Sequence, residues 1–288
     1  LWQIRSLHER YWAAMCVRLK IMAGLDIAEQ RTPQDGRMHL FMCGREVDFR
    51  VSSQPTLHGE NIVLRVLDRE KSIIPLVRMG LRAHQLDSLH AMLEKPEGMI
   101  ILTGPTGSGK TTTLYSLLNH LNNEQVNIMT LEDPVEYPVM QLRQTSVNEA
   151  NKVNFADGIR AILRQDPDII LVGEVRDEAT AAMALRAAMT GHLVMTTLHT
   201  NSAPAAFARL QDLGLQPQLV AGNVIAVIGQ RLLRRLCVHC KQAVKPDADR
   251  LQWLVDWASL MGVTAPDTLY EAAGCTHCRM TGYRGRLV

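Results

Sequence analysis

Residues Gly104-Pro105-Thr106-Gly107-Ser108-Gly109-Lys110-Thr111 match G-x-x-x-x-G-K-[ST] at every fixed position. No other segment constrains the fold as much, because this loop works only between a strand and a helix N-terminus. Both flanks comply. Met99-Ile100-Ile101-Leu102 reads as a buried strand, and Leu114, Leu117, Leu118 and Leu121 recur at helical spacing. Backbone N–H groups and the positive end of the helix dipole are then aimed at an anion. Lys110 is placed against the β- and γ-phosphates of a nucleotide, and Thr111 holds Mg²⁺. The eight loop residues with Thr112 form the expected nucleotide-binding set. A Gly-rich turn without a ligand is the plainer alternative, and the strand and helix argue against it.

Around this loop the chain divides in three. Residues 7–22 read as an amphipathic helix with a stripe of Leu7, Tyr11, Ala14, Met15, Leu19 and Met22. Short strands follow at 37–42, 46–52 and 61–67, where Val47, Phe49 and Val51 alternate with polar residues. Residues 1–75 thus read as a small α+β domain ending in a polar linker, Asp68–Pro75. From 76 to 228 helix and strand alternate: helix 82–94, strand 98–103, helix 111–121, strand 126–131, helix 154–164, strand 168–173, helix 177–189 and strand 193–197. That pattern predicts a parallel α/β core with its loops gathered at the strand ends. Residues 229–288 are expected to be a helical, cysteine-bearing subdomain.

Strand 168–173 runs Ile169-Ile170-Leu171-Val172 into Gly173-Glu174. A second strand of this kind brings a carboxylate beside the phosphate loop, usually an Asp on Mg²⁺. Glu174 reaches further, to a water on the metal or to the attacking one. Strand 126–131 leads into Glu132-Asp133-Pro134-Val135-Glu136, whose carboxylates repel unless they are solvated or face a cation. Glu132 is the first choice for orienting the lytic water, with Glu174 its rival. His192 and His199 bracket strand 193–197. His199, at its C-terminal end, is the better placed for a phosphate contact. Cys237-x-x-Cys240 and Cys275-x-x-Cys278 suit tetrahedral Zn²⁺. Residues 241–274 between them exceed the roughly 15–20 of a plain ribbon, so a helical insertion is expected there. His239 and His277 are possible substitute ligands, and inert thiols or a redox pair are the alternatives. Arg50 and Arg65 read as strand-surface residues, and Arg231, Arg234 and Arg235 as the solvated face of a helix.

Apolar residues make up 47% of the chain, enough for a buried core. A net charge of +2 and 5% aromatics disfavour a nucleic-acid binder. The longest apolar candidate, Leu219–Ile228, is short of the roughly 20 residues that span a bilayer. No signal peptide is visible, so a cytoplasmic location with reduced cysteines is expected. Opening on Leu1 and stopping in mid-pattern, the chain reads as a fragment of a longer protein.

Taken together, these segments resemble the secretion-motor ATPases of type II secretion and type IV pilus assembly. The likeness rests on Pro33–Arg37, Asp48–Ser52, the phosphate loop, Thr130–Glu136, Leu163–Asp168, Gly173–Asp177, Gly191–Asn201, Gln230–Cys237 and Thr281–Arg286. It implies a RecA-like domain joined to the small N-terminal domain, with ATP between them and hydrolysis dependent on Mg²⁺. It implies an acidic box at Glu132, Asp133 and Glu136, a nucleotide motif ending in Glu174, and a histidine box with His192 and His199. It gives Arg50 and Arg65 a role on the phosphates. The paired CxxC matches the zinc-bearing assembly and secretion branch. The resemblance further implies a homohexamer, an inner-membrane platform protein as partner, membrane contact only through partners, and pilin or pseudopilin assembly as the output. A nucleic-acid-stimulated RecA-like motor with a zinc module is the alternative.

Overall fold

A computed structural model describes residues 6, 8–42, 44–67, 73–136, 138–147, 154–245, 247–266 and 268–288. Leu7 and linker residues 68–72 lie outside them. The first elements are helix α1 (Trp12–Met22) and strands β1 (Gln34–Met42), β2 (Arg45–Thr56) and β3 (Gly59–Leu67), which pair as an antiparallel meander. Met38 and Val51 from the sheet and Ala23 from the end of α1 form its small core.

Helix α1 turns a different side inward from the expected stripe. Tyr11, Ala14 and Met15 are exposed, Leu19 and Met22 are half-buried, and Cys16 and Lys20 are buried. Lys20 tolerates burial because its ammonium meets a carboxylate and a carbonyl. Its Nζ lies 2.7 Å from Glu60 Oε1 and donates to Glu29 O at 2.7 Å. Ser53 Oγ donates to the same carboxylate at 2.8 Å. A buried charge persists only when paired in this way, and here the pair ties the helix to β3.

The core then runs through α2 (Ala83–Leu93), β4 (Gly98–Thr103), α3 (Lys110–Leu121), β5 (Ile128–Glu132), β6 (Arg143–Ser146), α4 (Phe155–Ile162), β7 (Ile169–Val172), α5 (Glu178–Ala188), β8 (Leu193–Leu198), α6 (Ala203–Asp212), α7 (Pro217–Asn223) and β9 (Val224–Gly229). Six parallel strands lie in the order β6-β5-β7-β8-β4-β9. Strand β8 separates the phosphate-loop strand β4 from β7, the RecA-like arrangement. Strands β4, β5, β7 and β8 are buried throughout, which explains why they read as unbroken apolar runs. Helices α2 and α3 cover one face, and α4 to α7 the other. All the parallel strands therefore release their C-terminal ends on one side, where crossovers to opposite faces leave a crevice.

The tail, expected to be helical, also carries short strands. Strands β10 (Leu233–Leu236), β11 (Lys241–Val244), β12 (Leu269–Ala272) and β13 (Tyr283–Leu287) accompany helix α8 (Ala248–Leu260). Strand β10 pairs with β13, and β11 with β12, both antiparallel. These strands are short, charged and joined to partners far along the chain, so no alternating pattern announces them. Arg234 lies on β10 with its guanidinium 3.9 Å from the centre of the Tyr283 ring, not on a helix face. Among the described residues no helix is long and apolar enough to cross a membrane.

Candidate functional site

The phosphate loop and the tips of β5, β7 and β8 enclose a cleft of about 400 Å³. Helices α4, α5 and α6 each begin with a side-chain cap, from Asn154, Asp177 and Ser202. Helix α3 begins at Gly109 with φ 87° and no side-chain cap, so its first-turn N–H groups face the cleft. Gly104 has φ 150°, and a Cβ there would meet Gln230 O at 2.5 Å and Ser108 Oγ at 2.7 Å. Only glycine fits such a position.

Gln230 braces the loop from behind. It is buried, its Nε2 donates to Ser108 O at 2.7 Å, and its Oε1 accepts from Thr113 Oγ1 at 2.7 Å. Its own N–H donates to Thr103 O at 2.8 Å. Lys110 Nζ donates to Gly104 O at 2.8 Å and Pro105 O at 3.4 Å. Burial pushes the Lys110 pKa down, Glu174 opposes this, and Arg231 adds to it. Ser108 Oγ is buried inside the loop without a hydrogen-bond partner. Thr106, Lys110, Thr111 and Thr112 line the cleft. This donor set fits nucleotide phosphates, and the Thr111 hydroxyl beside carboxylates fits Mg²⁺.

The two rival glutamates have unlike settings. Glu132 is 3% exposed. Its carboxylate accepts from the Tyr115 hydroxyl, from Thr130 Oγ1 at 2.6 Å and from Gln144 Nε2 at 3.2 Å. These bonds make it part of the cleft floor. Glu174 has 14% of its side chain exposed, lies 2.5 Å from Arg176 Nη2, and lies 3.5 Å from His199 Nε2. Arg176 Nη1 also approaches Asp133 Oδ2 at 3.7 Å, and hydrogen bonding to Glu174 holds the Arg176 pKa up. His199 lines the cleft. His192 does not: it precedes β8, at the opposite end of the sheet, with Nδ1 2.9 Å from Ala187 O.

Arg37, Arg50 and Arg65 are directly opposite one another across β1, β2 and β3, so they share a face. That face and Pro134 of the acidic loop line a second cavity of about 570 Å³. Arg50 Nη1 reaches both carboxylate oxygens of Glu136 at 3.1 Å, and Arg37 Nη2 donates to Val135 O at 2.5 Å. Glu136 and Pro134 also line the phosphate-loop cleft. The small sheet thus grips the acidic loop, and its arginines stand one side chain from the phosphate-loop cleft. Arg37 has no distinguishing sequence signal apart from the Asp-Gly-Arg turn. Two further lining residues, Leu232 and Arg286, come from the tail. Neither is legible as a site residue in the sequence, because the β10–β13 pairing puts them there.

The Sγ atoms of Cys237, Cys240, Cys275 and Cys278 all lie within 4.8 Å of one another. The Cys237–Cys275, Cys240–Cys278 and Cys275–Cys278 separations are 3.9, 3.7 and 3.7 Å. A tetrahedron of thiolates about 2.3 Å from Zn²⁺ has edges of about 3.8 Å, so the cluster fits zinc. Burial raises the Cys278 thiol, but N–H donors from Cys275 and Gly282 outweigh it and bring the pKa to about 6. His239 and His277 stack on each other at 4.2 Å and stand outside the four-sulfur group.

Residues 1–288 match the family model described as "Type II/IV secretion system protein". The chain belongs to this family. Type II secretion system protein E of Klebsiella pneumoniae is 48% identical over 284 residues, 99% of this chain and 56% of its own length. The type IV pilus assembly ATPase TfpB of Acinetobacter baylyi is 47% identical over 276 residues, 96% of this chain and 47% of its own. The chain spans about half the length of these curated relatives. Among solved structures, the pilus retraction motor PilT with bound ADP is similar with TM-score 0.61 and 36% identity, covering 71% of this chain and 60% of that one. The Legionella pneumophila ATPase DotB is similar with TM-score 0.66 and 26% identity, covering 81% and 67%.

Proposed function

We propose that this chain is the ATP-hydrolysing core of a motor that drives pseudopilin or pilin assembly. The observation that carries this reading is Glu174, open to the cleft and facing the phosphate loop across β8. Thr111 would hold Mg²⁺, which would offset the negative charge of the nucleotide. Lys110 leaves its loop carbonyls for those oxygens. Glu174 takes a proton from the attacking water, whose oxygen bonds to the γ-phosphorus as the bond to the β–γ bridging oxygen breaks. Glu132 keeps the tip of β5 in shape, and so supports Asp133 and Glu136. Arg176 and His199 orient the Glu174 carboxylate. Arg50 and Arg65, carried on the small sheet, stabilise the charge that develops on the transferred group.

In this reading residues 1–75, 76–228 and 229–288 move as separate units, and six copies assemble in the cytoplasm beneath an inner-membrane platform protein. The four-cysteine site carries zinc and holds Arg286 at the cleft. Lys110→Ala and Glu174→Gln test the core of this reading. Both should lower ATP turnover at least 100-fold, and Glu174→Gln should retain nucleotide binding within a few-fold. Full turnover in both variants would refute it. Turnover stimulated by single-stranded DNA would favour the nucleic-acid motor instead.

A further inference from the structure

Helix α8 buries only Ala258. Trp253 is 63% and Leu260 85% exposed, and Trp257 is exposed between them. At 100° per residue these three fall within about 60° of one another, an i, i+4, i+7 stripe. The chain has four tryptophans, and the two on this stripe stack with ring centres 6.4 Å apart and lie outside the nucleotide cleft. Large exposed aromatics in a continuous stripe mark a protein contact, where tryptophan dominates binding energy.

Charge decides the occupant. Asp249 and Asp256 lie on the next ~40° of helix surface beside Leu260. On the other side Arg250 lies 3.8 Å from Asp247 and 3.5 Å from Glu271, so it offers no free positive charge. An acidic flank repels anionic lipid, and it repels a second copy of itself. The geometry points to α8 as the docking site for an amphipathic partner helix whose apolar face is edged with Lys or Arg. This inference is independent of the reading of the cleft.

The probe is an 18-residue Leu/Lys amphipathic helical peptide, fluorescently labelled, with a Leu/Glu version as its counterpart. Anisotropy titrations of the full chain should show saturable micromolar binding of the Lys peptide, at least tenfold tighter than the Glu peptide. Binding should weaken at least tenfold in W253S/W257S. The charge-reversed D249K/D256K should exchange its preference and bind the Glu peptide. ATP turnover and metal content report that each variant is folded. Equal binding of both peptides, binding that survives W253S/W257S, or no reversal in D249K/D256K would overturn the inference. So would tryptophan-dependent self-association in sedimentation, or tryptophan-dependent binding to vesicles of 30% phosphatidylglycerol, without peptide binding.

Discussion

Gln230 offers the sharpest test of how the phosphate loop is held. Gln230→Met keeps the side-chain volume but removes the amide that bonds Ser108 O and Thr113 Oγ1, each at 2.7 Å. Leaving a buried polar group unpaired costs about 1–3 kcal/mol. The Ser108 carbonyl loses this donor, while the Thr113 hydroxyl can fall back on a carbonyl one turn below at a cost of about 1 kcal/mol. The sum is about 2–4 kcal/mol, and it falls on the closed form of the loop. Converted to affinity, that is about 30- to 700-fold weaker binding of Mg-ADP, readable by titration calorimetry. Adding Thr113→Val removes the hydroxyl that must change acceptor and should restore about 1 kcal/mol. ADP affinity within threefold of the parent in Gln230→Met would show that the loop is braced by something else.

Arg50→Ala loses only a partly exposed ion pair with Glu136, so the melting temperature should barely change. If the small sheet supplies charge to the phosphates, ATP turnover should nonetheless fall about 10³-fold or more. Lys20→Met strands the Glu60 carboxylate and should cost about 3–5 kcal/mol, recovered by a further Glu60→Leu. Burial alone would raise the Glu60 pKa, but bonds from Lys20 and Ser53 hold it below its ordinary 4.5. Its share of stability is therefore present above pH 4.5 and lost as acid carries the pH through the depressed value, a loss that should vanish in Lys20→Met/Glu60→Leu melts. Freshly purified protein should carry one zinc per chain. Its removal by mercurial reagent and chelator should weaken nucleotide binding severalfold, because Arg286 sits on β13, whose partner β10 runs directly into Cys237.

Much of this was legible in the chain because buried parallel strands and a phosphate loop leave strong local marks. Ile169-Ile170-Leu171-Val172 running into Gly173-Glu174 located the strand and its carboxylate together. The paired CxxC located the sulfur cluster for the same reason, since the ligands are short-range doublets. What failed depended on distant partners. The inward side of α1 is chosen by Glu60, forty residues on, which gives Lys20 a buried counter-charge where an apolar stripe would predict exposure. Strands β10 and β13 exist only as a pair, and neither shows a period by itself. The contrast between Glu132 and Glu174 was invisible because Tyr115, Thr130 and Gln144 converge on one carboxylate from three different elements.

The arginine row of the small sheet has a final consequence. Three guanidinium groups abreast on adjacent strands push one another apart, and Glu136 pairs with the middle one. Such a sheet is more comfortable with a polyanion in front of it than without. Arrival of a triphosphate would then relieve the small sheet as well as fill the loop, and its departure as phosphate would restore the repulsion. The repulsion built into the resting fold would act as a spring, eased each time the anion enters and set again each time it leaves.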